Sequence, residues 1–255
     1  MSPIAVRGIP GTMGLAIDEV PAFPGNPFSA TFPEAIGDSA RSVWYGSVRP
    51  TWTAEAGGRL HSRAEVPGEL AYALSIRATA ETVDAVTELT NRSGRIWRQS
   101  HAFNCFSPMG AAGVRDHDCV RHWVGRGGEL TRLLDVPRKF GPRPTVQLYA
   151  VEGGPSWREI PFVASFGCSP DGVALEPWIA IESEDGKRVV AVASKPCLYL
   201  FQNIEFSCIH AAGSFGTLAP GETGRSITRI WFVRSGIREW YARWKEEMAR
   251  LEPGG

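Results

Sequence analysis

Apolar and polar residues alternate with period two over many short stretches of the chain. Residues 69–77 place Tyr72, Leu74 and Ile76 on one face, and residues 83–89 place Val83, Ala85 and Leu89 on one face with Thr87 between them. Successive strand side chains point to opposite faces, so this spacing predicts two strands. Runs at 145–151, 160–166, 177–182, 188–193, 198–210 and 226–234 repeat the pattern. Between two of them, the Asp-Gly pair of Glu184-Asp185-Gly186-Lys187 predicts a two-residue hairpin and a largely antiparallel sheet. One segment has helical spacing instead. Ile237, Trp240, Tyr241, Trp244, Met248 and Leu251 form a stripe after Ser235 as N-cap, which predicts one amphipathic helix over 236–251. Its two tryptophans read as core side chains, and the helix as a lid packed on the sheets. A shorter helical turn is expected around 128–134, before Pro137. The first 40 residues, rich in Pro and Gly (Pro21, Pro24, Gly25, Pro27, Pro33), have weak periodicity and predict an irregular wrap or edge. The expected fold is a single mainly β domain, an antiparallel β-sandwich with one C-terminal helix.

Composition narrows the function classes. The 255 residues carry 27 basic and 27 acidic side chains and no basic run, which removes the electrostatic footprint of a nucleic-acid binder. No apolar stretch approaches the roughly 20 residues needed to span a bilayer. The N-terminus lacks a basic region followed by an apolar block, so the chain reads as cytoplasmic, or as exported with its signal peptide removed. Five cysteines (Cys105, Cys119, Cys168, Cys197, Cys208), odd in number and without CxxC spacing, predict reduced, mostly buried thiols and neither a disulfide framework nor a zinc knuckle. The absence of GxSxG, P-loop, GxGxxG and HExxH motifs removes the main support for a serine hydrolase, a nucleotide-dependent enzyme or a zincin.

Histidine is scarce, so its placement carries information. After a strand ending at Leu89 and an Asn91-Arg92-Ser93-Gly94 turn, a second strand would carry His101, Phe103 and Cys105 on one face and Asn104 on the other. An imidazole among aromatics there can act as a general acid or base, and the competing reading is a half-buried histidine bonded to a carbonyl. A second cluster, Arg115-Asp116-His117-Asp118-Cys119-Val120-Arg121-His122-Trp123, has the composition of a metal site or an acid/base pair. On a strand, Asp116, Asp118 and His122 would converge on one ligand, whereas in a loop they would serve turn chemistry. A third segment runs from Gln202 through Glu205 to His210 and into the small residues 211–216, which read as a loop at a binding edge. Glu205 is the candidate general base there, with a buried carboxylate paired to an arginine as the competing reading. Trp44, Trp52, Trp97, Trp123 and Trp178 lie outside the helix, and one or two of them could stack on a sugar.

Thr90-Asn91 at a strand end, a short polar turn, His101-Ala102-Phe103 on the next strand, and Leu218-Ala219-Pro220-Gly221-Glu222 before the last strand together resemble the galactose mutarotase-like superfamily, the aldose 1-epimerases and their relatives. The likeness covers roughly residues 60–110 and 175–234, with Ala102 where the family more often has proline. It implies a β-supersandwich whose concave sheet binds a small sugar or oligosaccharide. It also implies that His101 protonates the ring oxygen while Glu205 or His210 takes a proton from the anomeric hydroxyl. Asn104, Arg115, Asp116, His117, Asp118, His122, Trp123 and Gln202 are the candidate substrate contacts. The leading expectation is thus an epimerase- or isomerase-like enzyme without a cofactor. Two alternatives stand beside it: a lyase or hydrolase acting on a sugar or uronate through a divalent ion held by His101, His117, His122 and His210, and a non-catalytic carbohydrate-binding module.

Overall fold

The period-two stretches become strands that pair by antiparallel ladders into two nine-stranded sheets. The computed structural model describes residues 2–44, 48–55, 57–137, 145–155 and 173–251. In chain order the strands are β1 (Ala5–Gly8), β2 (Gly14–Asp18), β3 (Phe28–Gly37), β4 (Ser42–Trp44), β5 (Thr51–Ala54), β6 (Leu60–Val66), β7 (Leu70–Ala78), β8 (Thr82–Asn91), β9 (Trp97–Ser107), β10 (His122–Arg126), β11 (Glu129–Arg132), β12 (Val146–Val151), β13 (Ala174–Leu175), β14 (Trp178–Glu182), β15 (Val189–Lys195), β16 (Cys197–Asn203), β17 (Cys208–Leu218) and β18 (Thr223–Val233), followed by helix α1 (Ile237–Ala249). The first sheet runs β1-β2-β3-β9-β17-β16-β12-β13, with β4 beside β3, and the second β11-β10-β14-β15-β18-β8-β7-β6-β5. The short β12–β13 pair is parallel and the other ladders are antiparallel.

The core lies between the sheets. Phe28 of β3 and Phe106 of β9 stack at 5.7 Å, and both meet the edge of Phe232 on β18, so one aromatic group joins the two layers. Tyr72, Leu74, Ile76, Val83, Ala85 and Leu89 face it, as their alternation predicts. A second apolar cluster lies on the far side of the second sheet, where Trp240 and Trp244 of α1 pack on Trp178 and Trp240 also meets Trp231. The helix tryptophans are core residues. Among the described residues no helix is long and apolar enough to cross a membrane.

Several local expectations are corrected. The first 40 residues form no irregular wrap: β1, β2 and β3 belong to the first sheet, with β1 at its edge as the second of the two readings expects, and β3 pairs with β9. Phe28, Ala30 and Phe32 alternate inward, but a bulge between Thr31 and Ala35 accommodates Pro33, which has no N–H for the ladder, and breaks the period. Residues 129–132 form β11, so helical structure around 128–134 shrinks to one 3-10 turn at Leu133–Asp135. The β14–β15 hairpin has four residues, 184–187, between the hydrogen-bonded Ser183 and Arg188, not two. The run 198–210 is two strands joined by a 3-10 turn (Ile204–Phe206), and the expected loop 211–216 is strand interior. A Cβ on Gly213 would come within 2.7 Å of Ser226 Oγ, so its smallness serves close approach of the two sheets. Ser235 does not cap α1. The cap residue is Gly236, and Glu182 Oε1 accepts the Ile237 N–H at 3.0 Å. The run 160–166 and Cys168 lie outside the described residues.

Candidate functional site

Strands β3, β9, β17, β16 and β12 turn a second set of side chains away from the core. His101, Phe103 and Cys105 of β9 share this outer face while Ala102 and Phe106 face inward, as strand alternation requires. Tyr199 and Phe201 of β16, Ala212 and His210 of β17, and Val146 and Leu148 of β12 complete it. The register sets His210 beside Phe201 and His101 beside Ser214.

His210 lies flat on Phe103, with ring centroids 4.5 Å apart and planes 2° apart, and the edge of Phe201 closes on it at 5.2 Å. Its Nδ1 is 3.1 Å from the Phe201 carbonyl oxygen, an acceptor, which assigns the proton to Nδ1 and turns Nε2 toward Glu34 Oε2 at 3.7 Å. Burial raises the Glu34 carboxyl, but the hydrogen bond and charge of His210 and a hydrogen bond from Cys105 outweigh it and hold Glu34 below the usual carboxylate range. Glu34 is 29% exposed while His210 is 3% exposed, so the carboxylate is where this group meets solvent. Beside it, Cys105 and Cys208 form a hydrogen-bonded thiol pair. That bond, with burial, pushes Cys105 up, and it pulls Cys208 down to about 7. All four of the described cysteines are free, and Cys105, Cys119 and Cys208 are buried.

His101 is fully buried on the same face, its Nδ1 3.1 Å from the Gln99 carbonyl oxygen and its ring against the edge of Tyr199. Burial lowers it to about 4, so it stands neutral at pH 7. Glu205 is exposed on the 3-10 turn beyond Asn203, at the Cys208 end of β17. His101 is opposite Ser214, six rungs or roughly 20 Å along that strand, so the expected pairing of the two does not form.

The remaining candidates lie elsewhere. Asn104 points into the core and donates to Thr228 Oγ1. Residues 115–121 form a loop, not a strand, and β10 starts at His122. Asp116 and His122 do meet, at 2.9 Å and buried, with the Arg121 N–H also donated to Asp116 and the Asp116 N–H to Ser207 Oγ. Arg115, His117 and Asp118 are exposed, with His117 Nδ1 against the Ile204 carbonyl oxygen. Gln202 faces inward, holding the Cys119 thiol and accepting from Tyr149 OH. Trp123 is on the helix side of the second sheet, under Arg132. The Asp116–His122 group therefore ties the loop before β10 to the β16–β17 turn and does not join His210. Among the residues of the His210 face, Glu34, Tyr199 and Phe201 escaped sequence reasoning.

Thr90-Asn91 and Pro220-Gly221-Glu222 are bonded to each other. Asn91 N donates to Glu222 O, Gly221 N donates to Asn91 O, and Asn91 Nδ2 reaches Arg95 O and Leu218 O. This asparagine is a structural tie between two turns.

No protein-family model matches the sequence, and comparison with curated proteins finds no match. Solved structures do resemble it. An alpha-mannosidase from Enterococcus faecalis V583 matches with TM-score 0.56 at 8% identity, over 96% of this chain and 30% of that one. An alpha-N-acetylgalactosaminidase from Bifidobacterium bifidum, solved with GalNAc, matches with TM-score 0.53 at 13% identity, over 98% and 38%. The chain thus spans about a third of the length of these two enzymes. A galactose mutarotase-like protein from Lactobacillus casei ATCC 334 matches with TM-score 0.45 at 10% identity, over 90% of this chain and all of that one. The likeness is one of fold: an antiparallel β-sandwich that this chain shares with a part of the alpha-mannosidase and of the alpha-N-acetylgalactosaminidase.

Proposed function

We propose that the chain acts on a carbohydrate at the outer face of the first sheet, with the His210–Glu34 pair transferring a proton at a sugar hydroxyl or ring oxygen. The observation that carries this reading is the fixed imidazole. Phe103 and Phe201 lock its plane, the Phe201 carbonyl locks its tautomer, and Nε2 is left facing a carboxylate that reaches solvent. An imidazole and a carboxylate in this order can exchange one proton with a substrate hydroxyl without reorienting. Two fold neighbours with TM-scores above one half are an alpha-mannosidase and an alpha-N-acetylgalactosaminidase, the latter solved with GalNAc, which supports the substrate class. The proton-transfer role passes from His101 to His210, because a histidine held neutral to about pH 4 donates no proton near neutrality. The test is turnover of free aldoses and small glycosides by His210→Gln beside a thermal melt. Loss of about 10²-fold or more in a folded variant is expected. An unchanged rate would remove His210 from the chemistry.

A further inference from the structure

We propose that Glu34, Cys105 and His210 form a binding site for a zinc-class divalent ion, with one carboxylate oxygen, Sγ and Nε2 as its ligands. These three donor atoms, from strands β3, β9 and β17, all lie within 4.8 Å of one another. An ion 2.0–2.3 Å from each donor needs them roughly 3.5 Å apart in tetrahedral geometry, and His210 Nε2 and Glu34 Oε2 are at 3.7 Å. The surroundings are those of a ligand set. His210 directs its other ring nitrogen to a backbone carbonyl, the outer-shell contact that orients metal-bound imidazoles. Cys105 and His210 are buried while Glu34 reaches solvent, so the ion enters past the carboxylate.

The donor set selects the metal. Sulfur and imidazole favour zinc or cobalt, whereas magnesium and calcium take oxygen ligands. Three protein ligands leave a fourth position for water. The ion and the proton of the chemistry proposed above compete for the same Nε2 and carboxylate, so the loaded protein is an inhibited form. The ion site itself rests on donor geometry alone and stands or falls separately from the sugar reading.

The test is titration of the metal-stripped full chain with Co2+, read by thiolate-to-cobalt charge-transfer absorption. Uptake of one equivalent with that band, reversed by Zn2+ and indifferent to Mg2+, is expected. Cys105→Ser should abolish the band. Glu34→Gln, a change at a partly exposed position, should weaken binding by at least the roughly 10–100-fold that loss of an outer-shell partner costs. Cys197→Ser should leave both unchanged. Absence of the band in folded wild-type protein, or a band that survives Cys105→Ser, would overturn the site. Turnover of the metal-free protein is measured in parallel. Activity without cobalt binding overturns the ion site only, and cobalt binding without activity overturns the proton-transfer reading only.

Discussion

His210 and Phe103 stack face to face across the β9–β17 ladder, 4.5 Å between centroids and 2° between planes. A histidine needed only to fill space has no reason to have its plane, its tautomer and its free nitrogen all fixed. Here Phe103 sets the first, the Phe201 carbonyl the second, and Glu34 stands opposite the third. The arrangement gathers an imidazole, a carboxylate and a thiol at one point of a face otherwise lined by Phe, Tyr, Val and Leu side chains.

Trp240→Ala and Trp244→Ala should each destabilise the protein by about 3–5 kcal/mol, because both rings are buried against Trp178. Denaturant unfolding reads this directly. A variant that unfolds like the wild type would show that α1 contributes little to the second sheet.

The carboxylate of Glu182, not the hydroxyl of Ser235, accepts the first helix N–H. Glu182→Ala should therefore cost about 1 kcal/mol, the usual value of an N-terminal cap, and Ser235→Ala clearly less. The reverse order would restore the sequence-based capping assignment.

Burial of His101 makes stability depend on pH. Its folded pKa of about 4 lies below the ordinary 6.5, so the unfolded chain binds the extra proton first. The stability from the neutral ring is complete above pH 6.5 and is lost as pH falls toward 4, about 3 kcal/mol in all. Urea unfolding at pH 7, 6, 5 and 4 should show this slope in the wild type and a flatter one in His101→Asn. Equal slopes would mean that the ring takes up its proton at the same pH in the folded and the unfolded chain.

Period-two patterning made β7 and β8 legible in the sequence, and helical spacing did the same for α1, because each buries one regular face, whereas β14 and β15 are buried on both faces and stood out as short apolar runs. Where two constraints met, the pattern failed. β3 alternates at Phe28, Ala30 and Phe32, but Pro33 and the bulge beside it break the period, so Glu34 was hidden in a segment read as irregular. His210 was visible as a scarce histidine in an apolar run, whereas its partner is far away in sequence and is supplied only by the sheet order β3-β9-β17. Glu205 was misplaced because the run 198–210 carries no glycine or proline to mark its turn. Ser207, at φ 49°, takes the left-handed position that glycine usually fills.

The most direct measurement is the rate at which purified protein converts free aldose anomers or small glycosides, compared between wild type and Glu34→Gln. Glu34 is the solvent-reaching member of the pair, and its replacement keeps the size of the side chain. If the outer face of the first sheet carries the chemistry, the rate should fall about 10²-fold or more while the melting temperature stays close to that of the wild type. A folded Glu34→Gln protein that turns over sugar at the wild-type rate would contradict the account.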